Sequence, residues 1–145
     1  MTSLIKSVTA TQAGFGITVL RIVTGIIFVA HGSQKLFGWF GGYGLQGVAQ
    51  WMESIGLTPG YAMAVLAGSA EFFGGLALII GLLVRPASVA LGFSMLVAIF
   101  SVHLANGLFI TNNGYEYALT LLVVSVTLLI DGAGKFSVDQ RLSTR

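Results

Sequence analysis

Long apolar stretches alternate with short polar breaks along most of the chain. Each is close to the length of about 20 helical residues that crosses a hydrocarbon core of about 30 Å. A shorter stretch between the first two has an apolar and a polar side at helical spacing, which predicts a helix lying on the membrane surface. The pattern predicts an all-α fold, a transmembrane four-helix bundle with spans at about 14–37, 61–84, 86–108 and 115–131 and an interfacial helix at about 44–55.

The first span carries its polar residues on one side. Five positions recur at three- and four-residue intervals and so share one stripe of an α-helix: Arg21, Thr24, Phe28, His31 and Lys35. The opposite stripe is wholly apolar. Ionisable side chains inside a membrane segment are costly unless they face a partner or a wet cavity, so we expect this stripe to face the other spans.

Composition agrees with a membrane protein and limits its chemistry. Hydrophobic residues make up 55% of the 145 residues, charged residues make up 8%, and the mean hydropathy is +0.91. Such a chain is too apolar for an ordinary soluble domain, and its length suits a single transmembrane domain over 1–145. The chain has no cysteine, which excludes disulfides, thiolate metal ligands and cysteine redox chemistry. Any electron carrier therefore belongs to a partner or is a diffusible molecule such as a quinone.

The basic residues are unevenly distributed between the two predicted sides of the membrane. With four spans, the side that holds both termini collects Lys6, Arg85, Lys135, Arg141 and Arg145, whereas the other side has only Lys35. Positive residues concentrate on the cytoplasmic side of membrane proteins, which predicts that both termini are cytoplasmic. The pI near 9.2 therefore reports orientation, and no nucleic-acid partner is expected.

The polar residues of the spans fall at different depths. The outer half of the bundle holds His31, Lys35, His103, Asn106 and Glu116. Glu71 lies near the middle of the membrane as the floor of this cluster, and Arg21 lies deeper, nearer the cytoplasm. A histidine and a carboxylate near a membrane surface are the groups that quinol deprotonation or proton transfer requires.

A purely structural role for these residues is an open alternative. Glu71 could pair with Arg21 or with Lys35. Glu116 could pair with Lys35 or with His103. Such pairs would lock small helices into one arrangement without any chemistry. A metal site is not predicted, because two histidines on different helices leave the ligand count uncertain.

Several motifs, taken in order, resemble those of a known family. They are R-x2-T-G-x2-F-x2-H-G-x2-K-L-F-G over 21–38, E-F-F-G-G-L-A-L-I-I-G-L over 71–82, H-x2-N-G over 103–107, N-G-Y-E-Y-A-L over 113–119 and G-A-G-K-F-S-V-D over 132–139. Together they resemble the DoxX family of small four-span bacterial membrane proteins over nearly the whole chain. The resemblance implies a multi-pass protein of the bacterial inner membrane. It also implies an association with membrane oxidoreductases, because the family takes its name from subunits of a thiosulfate:quinone oxidoreductase.

The residues and the resemblance together predict a membrane subunit of a quinone-linked oxidoreductase system. It would have a polar pocket in the outer half of the bundle and no redox centre of its own. In this hypothesis His103 or Glu116 accepts the quinol proton, while Glu71 carries a proton or balances the charge of Lys35. The predicted quinone-binding residues are Lys35, His31, Asn106, Arg21, Phe28 and Trp39.

Two other classes of function remain open at this point. One is a non-catalytic module that anchors or assembles a partner complex through the small residues of the second span and the 132–139 segment. The other is a small transporter, which at this length would need to form a homo-oligomer. The expected partners are membrane lipid and, for the first hypothesis, a protein that supplies or accepts electrons.

Overall fold

The computed structural model describes residues 14–143, and within this range all regular elements are helices. The predicted all-α class is thus confirmed. In chain order the helices are α1 (Phe15–Phe37), α2 (Gly44–Ser54), α3 (Gly60–Ile80), α4 (Val84–Ala98), α5 (Glu116–Asp131) and α6 (Val138–Ser143). Helix α4 continues through a π-helical turn, Ile99–His103, and a 3₁₀ turn, Leu104–Asn106; further 3₁₀ turns are Trp39–Gly41 and Ile110–Asn112.

Three helices within residues 14–143 are long and apolar enough to cross a membrane: Phe15–Phe37, Gly60–Ile80 and Val84–Asn106. Helix α5 has 16 residues, which at 1.5 Å per residue gives a length of about 24 Å, short of a hydrocarbon core of about 30 Å. The fourth crossing therefore stays a prediction. So does the orientation of the termini, which depends in part on Lys6 and Arg145, outside the described residues.

The turn between α3 and α4 differs from the predicted boundaries at 84 and 86. Helix α3 ends earlier, at Ile80, because Gly81 adopts a left-handed conformation with φ 76°. Helix α4 also begins earlier, since the Asp139 carboxylate accepts the N–H groups of Leu83 at 2.8 Å and of Val84 at 2.9 Å. A carboxylate brought from the end of the chain thus satisfies the first donors of α4, which local sequence does not reveal.

Helices α1 and α3 approach until their backbones touch. A Cβ added to Gly25 or to Gly75 would lie 2.7 Å from the carbonyl oxygen of the other residue. Farther along α1, a Cβ at Gly32 would lie 2.7 Å from the Cα of Phe72. Real Cβ atoms do not come so close to backbone, so these three positions require glycine.

The core lies where α1, α3, α4 and α5 meet. Its most buried large side chains are Phe28, Leu78, Leu91 and Leu128. A smaller cluster, Val48, Ala49, Met52 and Ala64, packs α2 against the beginning of α3. There the Glu53 carboxylate accepts the N–H of Gly60, so α2 also caps the start of α3.

We expect Gly32→Ala to lower the free energy of unfolding by about 2 kcal/mol, because the added methyl group meets the backbone of Phe72, which cannot move aside without separating α1 from α3. Thermal unfolding of the protein in mild detergent measures the change.

Gly16→Ala is the matched control, since Gly16 is in the same helix with nothing within 4 Å of an added Cβ. Equal unfolding temperatures for the two variants would contradict the close approach of α1 and α3.

Candidate functional site

A cavity of about 320 Å³ opens at the end of the bundle where α1 finishes and α5 begins. Helices α1 to α5 and the loop before α5 all contribute to its walls. Its floor is buried and is formed by Phe28, Glu71, Met95 and Leu121. Its rim is exposed and is formed by Trp51, Ile110, Asn113 and Tyr117. A largely apolar concave site with a few polar groups is the usual form of a small-molecule binding site.

An ion pair between α1 and α3 stands at the inner part of this cavity. The Lys35 Nζ lies 2.7 Å from the Glu71 Oε2, and the side chains are 24% and 5% exposed. Gly68, less than one turn before Glu71, lies against Leu36 and Lys35, which lets α1 come close enough for the pair to form. Of the two pairings left open for Glu71, the structure forms the one with Lys35.

His31 lies one turn before Lys35 on the same stripe of α1 and is half-buried in the cavity wall. Its ring is 6.1 Å from the ring of Tyr117 on α5, centroid to centroid. The predicted polar stripe of α1 thus does face other helices. It brings His31, Lys35 and Phe28 to one cavity.

His103 reaches the cavity from the π-helical turn that ends α4. Its Nδ1 lies 2.9 Å from the carbonyl oxygen of Asn113. A carbonyl oxygen can only accept a hydrogen bond, so Nδ1 carries the proton and Nε2 of the neutral ring keeps a free electron pair. When the ring is neutral, this hydrogen bond therefore favours the tautomer whose Nε2 can accept a proton.

Asn106 supports this arrangement from outside the cavity. Its Nδ2 donates to the same Asn113 carbonyl oxygen at 3.1 Å and to the Val102 carbonyl oxygen at 3.2 Å. Asn113 itself is left-handed, with φ 56°. The Gly114 that follows it is buried, with no room for a Cβ beside Gly107 and Phe109. The loop thus fixes one carbonyl oxygen between two donors.

Two other predicted site residues also lie outside the cavity lining. Glu116 uses its Oε1 to accept the N–H of Ile110 at 3.1 Å, so it stabilises the loop instead of pairing with Lys35 or His103. Trp39 packs on Phe37, with ring centroids 4.9 Å apart, and remains 56% exposed. Depth along a span predicted Glu116 near the cavity, and Trp39 was predicted to flank the ring, but both side chains have other partners.

Arg21 lies at the opposite end of the bundle and is fully buried. Its Nη1 donates to the carbonyl oxygens of Leu78 at 2.6 Å and Ile79 at 2.9 Å, in the last turn of α3. Its Nη2 donates to Lys135 at 3.4 Å and Phe136 at 3.2 Å, in the segment before α6. One guanidinium thus satisfies terminal carbonyls of α3 and holds the end of the chain to the bundle.

Sequence reasoning missed two aromatic residues of the cavity, Trp51 and Tyr117. Trp51 belongs to the amphipathic helix α2, whose position over the cavity has no signal in its own sequence. Tyr117 follows Glu116 in the N-G-Y-E-Y-A-L motif, and that motif was the available signal. Within residues 14–143, no group of three or more histidine, cysteine, aspartate or glutamate side chains is arranged to hold a metal ion.

The DoxX family model matches residues 16–104. The chain belongs to the DoxX family. Over 124 residues it is 33% identical to the Bacillus subtilis protein named "Putative oxidoreductase CatD", covering 86% of this chain and 84% of that protein. Over 132 residues it is 33% identical to the Escherichia coli inner membrane protein YqjF, covering 90% and 94%. It is 31% identical over 136 residues to the uncharacterized membrane protein Rv3486 of Mycobacterium tuberculosis, covering 87% and 80%.

No solved structure matches this DoxX protein. Its family and its likeness to an inner membrane protein, together with three apolar helices of spanning length, make it a multi-pass protein of the bacterial inner membrane. The predicted family and location are both confirmed.

We expect loss of either partner of the Lys35–Glu71 pair to destabilise this DoxX protein more than loss of both. Lys35→Met leaves the Glu71 carboxylate buried without a counter-ion, which costs about 3 kcal/mol. Glu71→Gln leaves the ammonium unpaired. The double variant removes both charges, so it should lose less unfolding free energy than either single variant. Unfolding in denaturant, measured for all four proteins, gives the coupling, and additive losses would contradict the pair.

Arg21→Met should release the segment before α6, because the carbonyl oxygens of Lys135 and Phe136 lose their shared donor. Limited trypsin digestion should then cut after Lys135 at least ten times faster than in the unaltered protein, a change of about 1.4 kcal/mol in the opening free energy.

Arg21→Lys keeps the charge but lacks the paired N–H donors of the guanidinium. Its cleavage rate should therefore lie between those of the unaltered protein and Arg21→Met. Unchanged cleavage in Arg21→Met would show that other contacts hold the segment.

Proposed function

We propose that this protein is the membrane subunit of a quinone-linked oxidoreductase system and that the cavity binds the quinone head group. The observation that carries the proposal is the combination of apolar walls with the Lys35–Glu71 pair and a hydrogen-bonded His103 in one cavity. The word oxidoreductase in the name of the CatD relative supports the same class of chemistry.

The topology that suits this function is four crossings with both termini in the cytoplasm. Arg85, Lys135 and Arg141 all lie at or beyond the end of the bundle opposite to Lys35, in agreement with the positive-inside rule. The short α5 crosses in this arrangement with local thinning of the bilayer. Helix α2 then lies at the outer surface, where Trp51 and Tyr43 are exposed at the level of the head groups.

The residues present fit a quinone. The cavity volume of about 320 Å³ is within the range of about 300–1,000 Å³ for small-molecule sites. Phe28 and Met95 give the inner wall apolar surface for a ring. Lys35 supplies N–H donors for a carbonyl oxygen, and His103 supplies an acceptor for a hydroxyl group.

A quinone supplies a two-electron, two-proton couple when bound, and the chain's side chains manage the protons. The Nε2 of His103 accepts a proton from a hydroxyl of the reduced form, and its ring stays oriented because Nδ1 remains bonded to Asn113. Lys35 would hold the other oxygen, and the Glu71 carboxylate beside it would accept the second proton. The two electrons pass to an acceptor on a partner protein.

Asn106 has a different role in this proposal from the predicted one. It donates to the Asn113 carbonyl oxygen and so acts as a positioning residue for His103. Arg21, Glu116 and Trp39 lie outside the cavity lining and hold the surrounding structure.

Intrinsic fluorescence can test quinone binding, because the chain has two tryptophans and only Trp51 lines the cavity. In Trp39→Phe protein, titration with decylubiquinone should quench the remaining Trp51 saturably. In Trp51→Phe protein, Trp39, which lies outside the cavity lining, should show only the weak, linear quenching of a quinone dissolved in the detergent.

His103→Ala and Lys35→Ala, each made in the Trp39→Phe background, should weaken the saturable quenching at least tenfold, which corresponds to about 1.4 kcal/mol for each lost hydrogen bond. Mass spectrometry of small molecules extracted from the same proteins should find a native quinone in Trp39→Phe protein. The quinone should be absent when His103→Ala or Lys35→Ala is added. Linear quenching in every variant, with no extracted quinone, would overturn the proposal and favour a non-catalytic assembly module.

A further inference from the structure

A second cavity lies at the end of the bundle opposite to the proposed quinone site and has a volume of about 590 Å³. It is open to solvent and is bordered by the start of α1, the turn between α3 and α4, and the chain from the end of α5 into α6. Four charged side chains line it: Arg85, Asp131, Lys135 and Asp139. What this cavity could bind depends on which of those charges are already compensated.

Asp139 is the member of the four whose oxygens are already engaged. Its two oxygens accept the N–H groups of Leu83 and Val84, so its charge lies at the positive end of α4. Within residues 14–143, the side chains of Arg85 and Asp131 make no hydrogen bond or ion pair. The cavity therefore keeps one free carboxylate against two cations.

The two cations are held in place by their surroundings. The Arg85 guanidinium lies along the backbone of Gly132, where its Nε would be 3.4 Å from an added Cβ, beside the negative end of α5. The Lys135 Nζ lies over the ring of Phe15, 5.1 Å from its centroid. Neither contact uses up the N–H donors, so both cations can still bind oxygen atoms of a ligand. The four charged side chains sum to zero formal charge, so an anion would be held here by the N–H donors of Arg85 and Lys135 and not by an excess of positive charge.

The border of this cavity is apolar and exposed. Phe15, Leu83 and Phe136 are 59%, 62% and 70% exposed at this end of the helices. Exposed aromatic residues at the ends of membrane helices mark the level of the lipid head groups. A ligand here meets donors for an anion on one side and hydrocarbon on the other.

We propose that Arg85 and Lys135 bind a phosphate group in this cavity and that the phosphate is the diester of a membrane phospholipid. Arginine binds phosphate oxygens through paired N–H groups, and basic pockets at the cytoplasmic ends of membrane helices suit anionic head groups. A phosphodiester can accept N–H donors from both cations through its two unesterified oxygens, and its acyl chains match the exposed border. This site does not depend on the proposed quinone chemistry.

Binding can be measured with delipidated protein in a neutral detergent. Native mass spectrometry during titration with dioleoylphosphatidylglycerol should give one saturable lipid adduct. We expect Arg85→Gln to weaken this adduct at least tenfold, and Lys135→Gln to weaken it several-fold. Arg141→Gln is the matched control, because it removes the same charge from an α6 residue outside the cavity lining and should leave affinity within a factor of two.

Each result decides the matter. Equal losses in Arg85→Gln and Arg141→Gln would mean attraction by total charge and would overturn the site, as would no loss in any variant. Glycerol 3-phosphate competing as well as the lipid at equal concentration would overturn the phospholipid assignment in favour of a free phosphate. If Arg85→Gln unfolds at a lower temperature than the control, Lys135→Gln alone carries the comparison.

Discussion

The close approach of α1 and α3 is the constraint on which the rest of the molecule depends. Gly25 against Gly75 and Gly32 against Phe72 leave no space for side chains between the two backbones. These contacts fix the register of an antiparallel pair. In that register Lys35 comes opposite Glu71, and Arg21 comes opposite the last turn of α3. The glycine contacts between α1 and α3 therefore determine which α3 groups Arg21 and Lys35 meet.

Much of the architecture could be predicted from the sequence, because hydrophobic periodicity determines where helices lie. The DoxX motifs also predicted the family and the membrane location, because the motifs and their order can be read directly from the sequence. The boundaries between α3 and α4 could not be predicted in the same way. They depend on Asp139, which lies far along the chain and supplies a cap that only the folded molecule brings near.

The sequence predicted the site residues whose side-chain direction is set by their position on a helix. It did not predict those whose direction is set by a loop. Phe28, His31 and Lys35 share a stripe and do reach one cavity. Arg21 shares it too, but its partners are backbone carbonyl oxygens, which every residue possesses and no motif marks. Asn106 and Glu116 sit beside the irregular 107–115 segment, whose backbone groups engage both side chains. Position along a span predicted the depth of these two residues in the membrane, but not the direction in which their side chains point.

The pairing of α1 with α3 also bears on how the chain enters the bilayer during synthesis. Each cation of α1 has its α3 partner in a helix that emerges later from the ribosome: the Glu71 carboxylate for Lys35, and the Leu78 and Ile79 carbonyl oxygens for Arg21. Released alone into hydrocarbon, α1 would carry two uncompensated charges, and α3 would carry one. The helical hairpin from α1 to α3 is therefore the first part of the chain to be synthesised in which Lys35 and Arg21 both have polar partners.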